Sequence, residues 1–118
     1  MKLTIDKAAL SAGLQSVQNV VSTRSTLPIL SNALLSAEKD GLVISATDLE
    51  VSVRCKVAGD ISKEGSTTIP VRRLASIVRE LPESTIVFEV DDKDQASVTC
   101  GSSFFKIVGM AGEEFPPM

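Results

Sequence analysis

Apolar residues along the chain recur in two rhythms, every second position or every third to fourth, and the switches between them mark the elements. Leu3-Thr4-Ile5 alternates as a short strand. Asp6 stands at a favoured helix N-cap, and Leu10, Leu14, Val17 and then Val20 or Val21 follow at helical spacing. The outward positions of that helix, Ser11, Gln15, Gln18 and Asn19, are polar and uncharged. Gly13 inside it costs up to about 1 kcal/mol against Ala and points to a close approach of another backbone. Ser22-Thr23-Arg24-Ser25-Thr26 reads as a loop, with one arginine among four hydroxyls, and Pro28 holds Leu27 extended. A strand follows from Ile29 to Ala37, a turn at Glu38-Lys39-Asp40-Gly41, a second strand at Leu42–Ala46 and a reversal at Thr47-Asp48-Leu49-Glu50. Val51, Val53, Cys55 and Val57 then alternate with Ser52, Arg54 and Lys56, a strand with one face buried and one wet. Residues 58–66 read as a connection.

The chain is organised around the next stretch, Thr67 to Leu81. It predicts a short strand, Pro70 at the first helical position and two to three turns of helix. At about 100° per residue, Val71, Leu74, Ala75, Ile77, Val78 and Leu81 fall on one side, and Arg72, Arg73, Ser76, Arg79 and Glu80 on the other. Three more strands follow: Ile86, Phe88 and Val90; Ala96, Val98 and Cys100; and Phe104–Val108. Turns at Asp91-Asp92-Lys93-Asp94 and Gly101-Ser102-Ser103 separate them, and Gly112–Met118 reads as linker or tail. The order strand, helix, three strands therefore occurs twice, over residues 1–60 and 65–110, with 111–118 as the start of a linker. Ile5 and Ile69, Leu10 and Leu74, Leu14 and Val78, and Val17 and Leu81 are each 64 positions apart. Two βαβββ units predict an α+β domain with two helices side by side on one face of antiparallel sheet. Their outer sides would then form one surface, Ser, Gln and Asn from the first helix and Arg from the second.

Composition narrows what that surface can do. The 118 residues suffice for one domain with a real core, and with four Phe, no Trp and no Tyr that core is aliphatic. A formal charge of −3 and a pI near 4.9 argue against a general nucleic-acid binder but not against one basic face on an acidic body. There is no histidine, so the commonest general base and metal ligand are missing. Cys55 and Cys100 form no Cys-x-x-Cys pair, and buried free thiols in a reducing cytoplasm account for them. Charge returns at Asp6 before a signal peptide can form, and no segment is long enough to span a membrane. No phosphate loop, nucleophile elbow or metalloprotease motif is present, so neither catalysis nor a cofactor or metal is expected. Asp48 and Glu50 read as turn residues. Asp91, Asp92 and Asp94 lack the Glu that would complete a calcium loop. In the last strand Phe105 and Ile107 point one way and Phe104, Lys106 and Val108 the other. Such a strand is either central or in need of a partner.

Three runs carry a resemblance. Thr23–Asn32, Ala46-Thr47-Asp48-Leu49-Glu50, and Thr67-Thr68-Ile69-Pro70 with its basic helix and Leu81-Pro82 are similar, in this order and spacing, to the bacterial DNA sliding clamps, the beta subunits of replicative DNA polymerase holoenzymes. The resemblance covers the whole chain and only the first of the family's three domains. It implies the clamp fold, with helices on the inner face and sheet outside, in a ring of two protomers around duplex DNA. It further implies that Arg24, Arg72 and Arg79 meet phosphate. The contact with the second protomer would fall on Arg73, Ile77, Phe105 and Ile107, and polymerase and clamp loader would bind later domains. The function implied is processivity without catalysis. The competing reading is a cytoplasmic β-rich protein-interaction module whose basic patch takes an acidic partner.

Overall fold

The computed structural model describes residues 1–21 and 28–116, so Arg24 lies outside the described residues. Strand β1 (Lys2–Asp6) runs directly into helix α1 (Lys7–Gln18). A 3-10 turn over Pro28–Ser31 leads into β2 (Asn32–Glu38), β3 (Gly41–Thr47) and β4 (Ser52–Val57), and short β5 (Asp60–Lys63) ends the first half. The second half repeats the order with β6 (Gly65–Pro70), α2 (Val71–Glu80), β7 (Thr85–Val90), β8 (Gln95–Cys100), β9 (Ser103–Val108) and β10 (Met110–Ala111), then a 3-10 turn over Gly112–Glu114.

The strands form two five-stranded antiparallel sheets rather than one, in the orders β5-β1-β7-β8-β9 and β10-β6-β2-β3-β4. The first strand of each half has crossed into the other. β1 pairs with β7, Leu3 opposite Phe88 and Ile5 opposite Ile86. β6 pairs with β2, Thr67 opposite Leu35 and Ile69 opposite Ala33. Each half also carries a fifth strand. Residues 60–63, expected as connection, pair with β1, which would otherwise present a free backbone edge. Ile29–Ser31, expected as strand, belong to the 3-10 turn, and Pro70 ends β6 so that α2 starts at Val71.

One hydrophobic core draws on both sheets and both helices. All eight residues matched at the 64-residue offset are buried. α1 lies on β3 and β4, and Gly13 is where it comes closest: a Cβ there would stand 2.6 Å from Val57 Cγ2 and 2.9 Å from Ile44 Cδ1. What Gly13 admits is thus side chains of the second sheet, not another backbone. Turns are closed by their own carboxylates. Asp48 accepts from the Val51 and Glu50 amides and Asp91 from Gln95 and Lys93, which holds both carboxyls below their ordinary range.

Residues 109–116, of which 111–116 belong to the expected start of a linker, run back against β6. Met110 and Ala111 pair with Thr68 and Thr67, and Phe115 is buried. The buried hydroxyls of β6 are all satisfied here. Thr67 donates to Asp94 Oδ1 at 2.8 Å, Thr68 donates to the Met110 carbonyl at 3.0 Å, and Asn32 Nδ2 donates to Thr68 Oγ1 at 3.0 Å. Gly109 makes this crossing possible. Its N–H donates to the Asp94 carbonyl at 2.8 Å, and a Cβ would collide with the Thr68 carbonyl oxygen and approach Ile69 Cδ1 to 2.8 Å. Because that obstacle is backbone, Gly109→Ala is expected to lower stability by about 2 kcal/mol or more in urea unfolding. An unchanged midpoint would show that residues 109–116 shift as a unit instead.

Candidate nucleic-acid interface

The wheel drawn for α2 is the one the structure builds. Val71, Leu74, Ala75 and Val78 are buried, Ile77 is half-buried against the core, and Arg72, Arg73, Ser76, Arg79 and Glu80 are exposed. Each fully buried aliphatic contributes about 1.5–3 kcal/mol, so tertiary packing decides that this segment is helical. The charges do not help it. Arg72 and Arg73 sit in the first turn, which carries no acid, at the positive end of the helix dipole. Two cations there cost a few tenths of a kcal/mol each, less than burial of Leu74 alone returns. Among the described residues none of the three arginines has an ion pair with a carboxylate. They are unneutralised and open to an outside anion.

The helices touch, and the start of α1 lies at the end of α2, where Lys7 Nζ donates to the Leu81 carbonyl at 2.6 Å. They therefore run side by side and antiparallel. Since both bury their inner stripes in one core, their outer residues share a surface. From α1 this surface takes exposed Ala8, Ala12, Gln15, Ser16 and Asn19; Ser11 and Gln18, expected outside, are half-buried. Two helices at 8–10 Å spacing make a face roughly 20 Å wide. A B-DNA major groove is about 12 Å wide, so the pair cannot enter it together. It can lie across the backbone. Arg72 and Arg79 stand about 10 Å apart along the axis, spanning about three base-pair steps.

β9 is the outer strand of its sheet. Phe105 and Ile107 share a face, opposite Val98 and Ala96 of β8, but differ in burial. Phe105 is 36% exposed, whereas Ile107 is 3% exposed. The expectation that Ile107 offers a contact surface is corrected: it is a core side chain. The open apolar groups of this edge are Phe104 at 62%, Val108 at 65% and Phe105. Arg73 is exposed on α2 and Ile77 only partly so. Lys7, which no sequence motif singled out, reaches from the start of α1 to the end of α2.

A two-sheet, two-helix domain of this build is a sliding-clamp domain. The sequence model of the DNA polymerase III beta subunit, N-terminal domain, matches residues 1–118. The beta sliding clamp of Chlamydia muridarum is 40% identical over 116 residues, 98% of this chain and 32% of its own length. That of Caulobacter vibrioides is 43% identical over 121 residues, covering 100% of this chain and 32% of the relative. The solved structure of Caulobacter crescentus pol III beta superposes with a TM-score of 0.95 at 42% identity, covering 100% of this chain and 32% of that one. The chain belongs to the family of DNA polymerase III beta subunits, the beta sliding clamps. It spans about a third of the length of these relatives.

Two outcomes follow from the site. Arg72→Glu places an acid at the positive end of α2 and should raise stability by about 0.3–1 kcal/mol in thermal unfolding; a loss would show that Arg72 has a stabilising partner. Ile107→Asp should unfold the domain by burying a lone charge, whereas Phe105→Asp should leave circular dichroism native. Equal behaviour of the two would contradict the burial assigned to them.

Proposed function

We propose that this chain is the DNA-facing first domain of a ring-forming clamp, which encircles duplex DNA and keeps the replicative polymerase on it without catalysing a reaction itself. The observation that carries the reading is the arginine face of α2, unneutralised by carboxylates among the described residues and partly placed against its own helix dipole. The names of the relatives, beta sliding clamps, support it.

In this reading Arg72 and Arg79, together with Arg24, meet phosphates as the duplex passes. Phosphate contacts fix orientation and carry no sequence information. A flat face with few cations and a neutral neighbour helix therefore binds every register alike, and the ring can move along the duplex. Topology, not affinity, does the holding. Arg73, Ile77 and Phe105 lie at the contact with the second protomer, with Ile107 as the core support behind Phe105. Polymerase and clamp loader engage the part of the relatives' length that this chain does not span. Residues 1–118 act as one unit, with 111–118 leading from it, and the working compartment is the cytoplasm. No helix among the described residues is long and apolar enough to cross a membrane.

A duplex titration read by fluorescence anisotropy tests this on the 118-residue chain. Without a closed ring, affinity should be no better than the non-specific range of roughly 10⁻⁴–10⁻⁶ M and equal for two unrelated sequences. Removing Arg72 or Arg79 should each lower the slope of log K against log salt by about 0.9. An unchanged slope in the double alanine variant would contradict the phosphate role. Sub-micromolar binding at physiological salt would point to a dedicated DNA-binding module instead.

A further inference from the structure

Lys7 is the first residue of α1, yet its side-chain and backbone donors reach residues 79–84, at and just past the far end of α2. Its Nζ donates to the Leu81 carbonyl at 2.6 Å and to the Arg79 carbonyl at 3.3 Å. The same ammonium lies 3.3 Å from Glu83 Oε1, and its side chain is only 14% exposed. Its backbone N–H donates to the Ser84 carbonyl at 3.1 Å. One residue thus grips the whole turn that ends α2. The matching position of the second half, 64 residues on, is Val71, so the device is not a by-product of the repeat.

The end of α2 is an awkward place for a phosphate contact. The last carbonyls of a helix have no intrahelical donor and together carry about half a negative charge. Arg79 stands in that last turn. Without a neutralising group, a phosphate drawn to its guanidinium would also meet the negative end of the helix. Frayed, the turn would let the Arg79 side chain wander. The half-buried Lys7 ammonium bonds the Arg79 carbonyl of that last turn and the carbonyl of Leu81, the extended residue that caps it, which offsets the negative end and ties the turn down. Its ion pair with exposed Glu83 ties it to the turn just past the helix.

We infer that Lys7 is the positioning residue for Arg79: it neutralises and fixes the C-terminal turn of α2 so that Arg79 can take a backbone phosphate of duplex DNA. The inference rests on the nucleic-acid reading above and adds a residue to it. Lys7 itself does not touch DNA.

The test is a double-mutant cycle on the 118-residue chain, titrated with a random-sequence 24-base-pair duplex at low salt and paired with amide hydrogen exchange. Lys7→Met should weaken binding about three- to fivefold, close to the loss in Arg79→Ala. Lys7→Arg, which keeps charge and donors, should restore it to within twofold. In the Arg79→Ala background, Lys7→Met should weaken binding no further. Independent losses that multiply in the double variant would make Lys7 a separate charge and overturn the inference, as would unaltered binding in Lys7→Met. Should Lys7→Met not fold, Lys7→Gln, which keeps a donor without the charge, takes its place with the same expectations. Amide exchange at Arg79–Leu81 should quicken in Lys7→Met and not in Lys7→Arg; unchanged protection would also overturn it. If Arg79→Ala alone leaves duplex binding unchanged, the nucleic-acid reading of this face fails, and exchange then reports separately whether Lys7 holds the helix end.

Discussion

The exchange of first strands between the halves is the constraint on which the rest of the structure depends. β1 completes the sheet of the second meander and β6 that of the first, so neither half can close a sheet alone. Each exchanged strand runs without a break into its helix, Asp6 into Lys7 and Pro70 into Val71. Crossing the strands therefore brings the helices together. They meet antiparallel, the start of α1 at the end of α2. Their apolar stripes then have one destination, the common core, and their remaining sides one exposure, the common surface.

That surface runs against the local stability of α2. A helix of ten residues has little stability of its own, and α2 places two arginines in the turn where its dipole disfavours them. Core contacts of Val71, Leu74 and Val78 outweigh the cost. The fold makes the cationic face affordable, and the breadth of two helices limits what it can recognise. A single protruding helix could read base edges; two abreast on a sheet-backed body can only rest on the backbone.

Much of this is legible in the sequence because packing a helix on a sheet enforces a period. Leu10, Leu14 and Val17 repeat as Leu74, Val78 and Leu81, and all are buried. The charged side of α2 follows from the same period. Other features leave no such trace. β5 holds a single apolar residue, half-buried Ile61, and is a strand only because β1 supplies a partner. Buried Thr67 and Thr68 reveal themselves through Asp94 and Met110, distant in sequence. Alternation places Phe105 and Ile107 on one face but cannot say that the core covers one and leaves the other at the rim. Lys7 looks like any first-turn lysine, and its contacts lie in a turn more than 70 residues away.

The proposed contact with duplex backbone, independent of sequence, lies on the two-helix face together with Arg24. The most direct measurement is a map of backbone amide chemical shifts while duplex DNA is titrated into the isotope-labelled chain at low salt. Shifts are expected only at the outer residues of α2, the adjoining outer residues of α1 and the residues around Arg24, the same for two unrelated sequences and lost at high salt. Shifts centred on the β9 edge or the outer sheet faces, or a pattern that changes with DNA sequence, would contradict it.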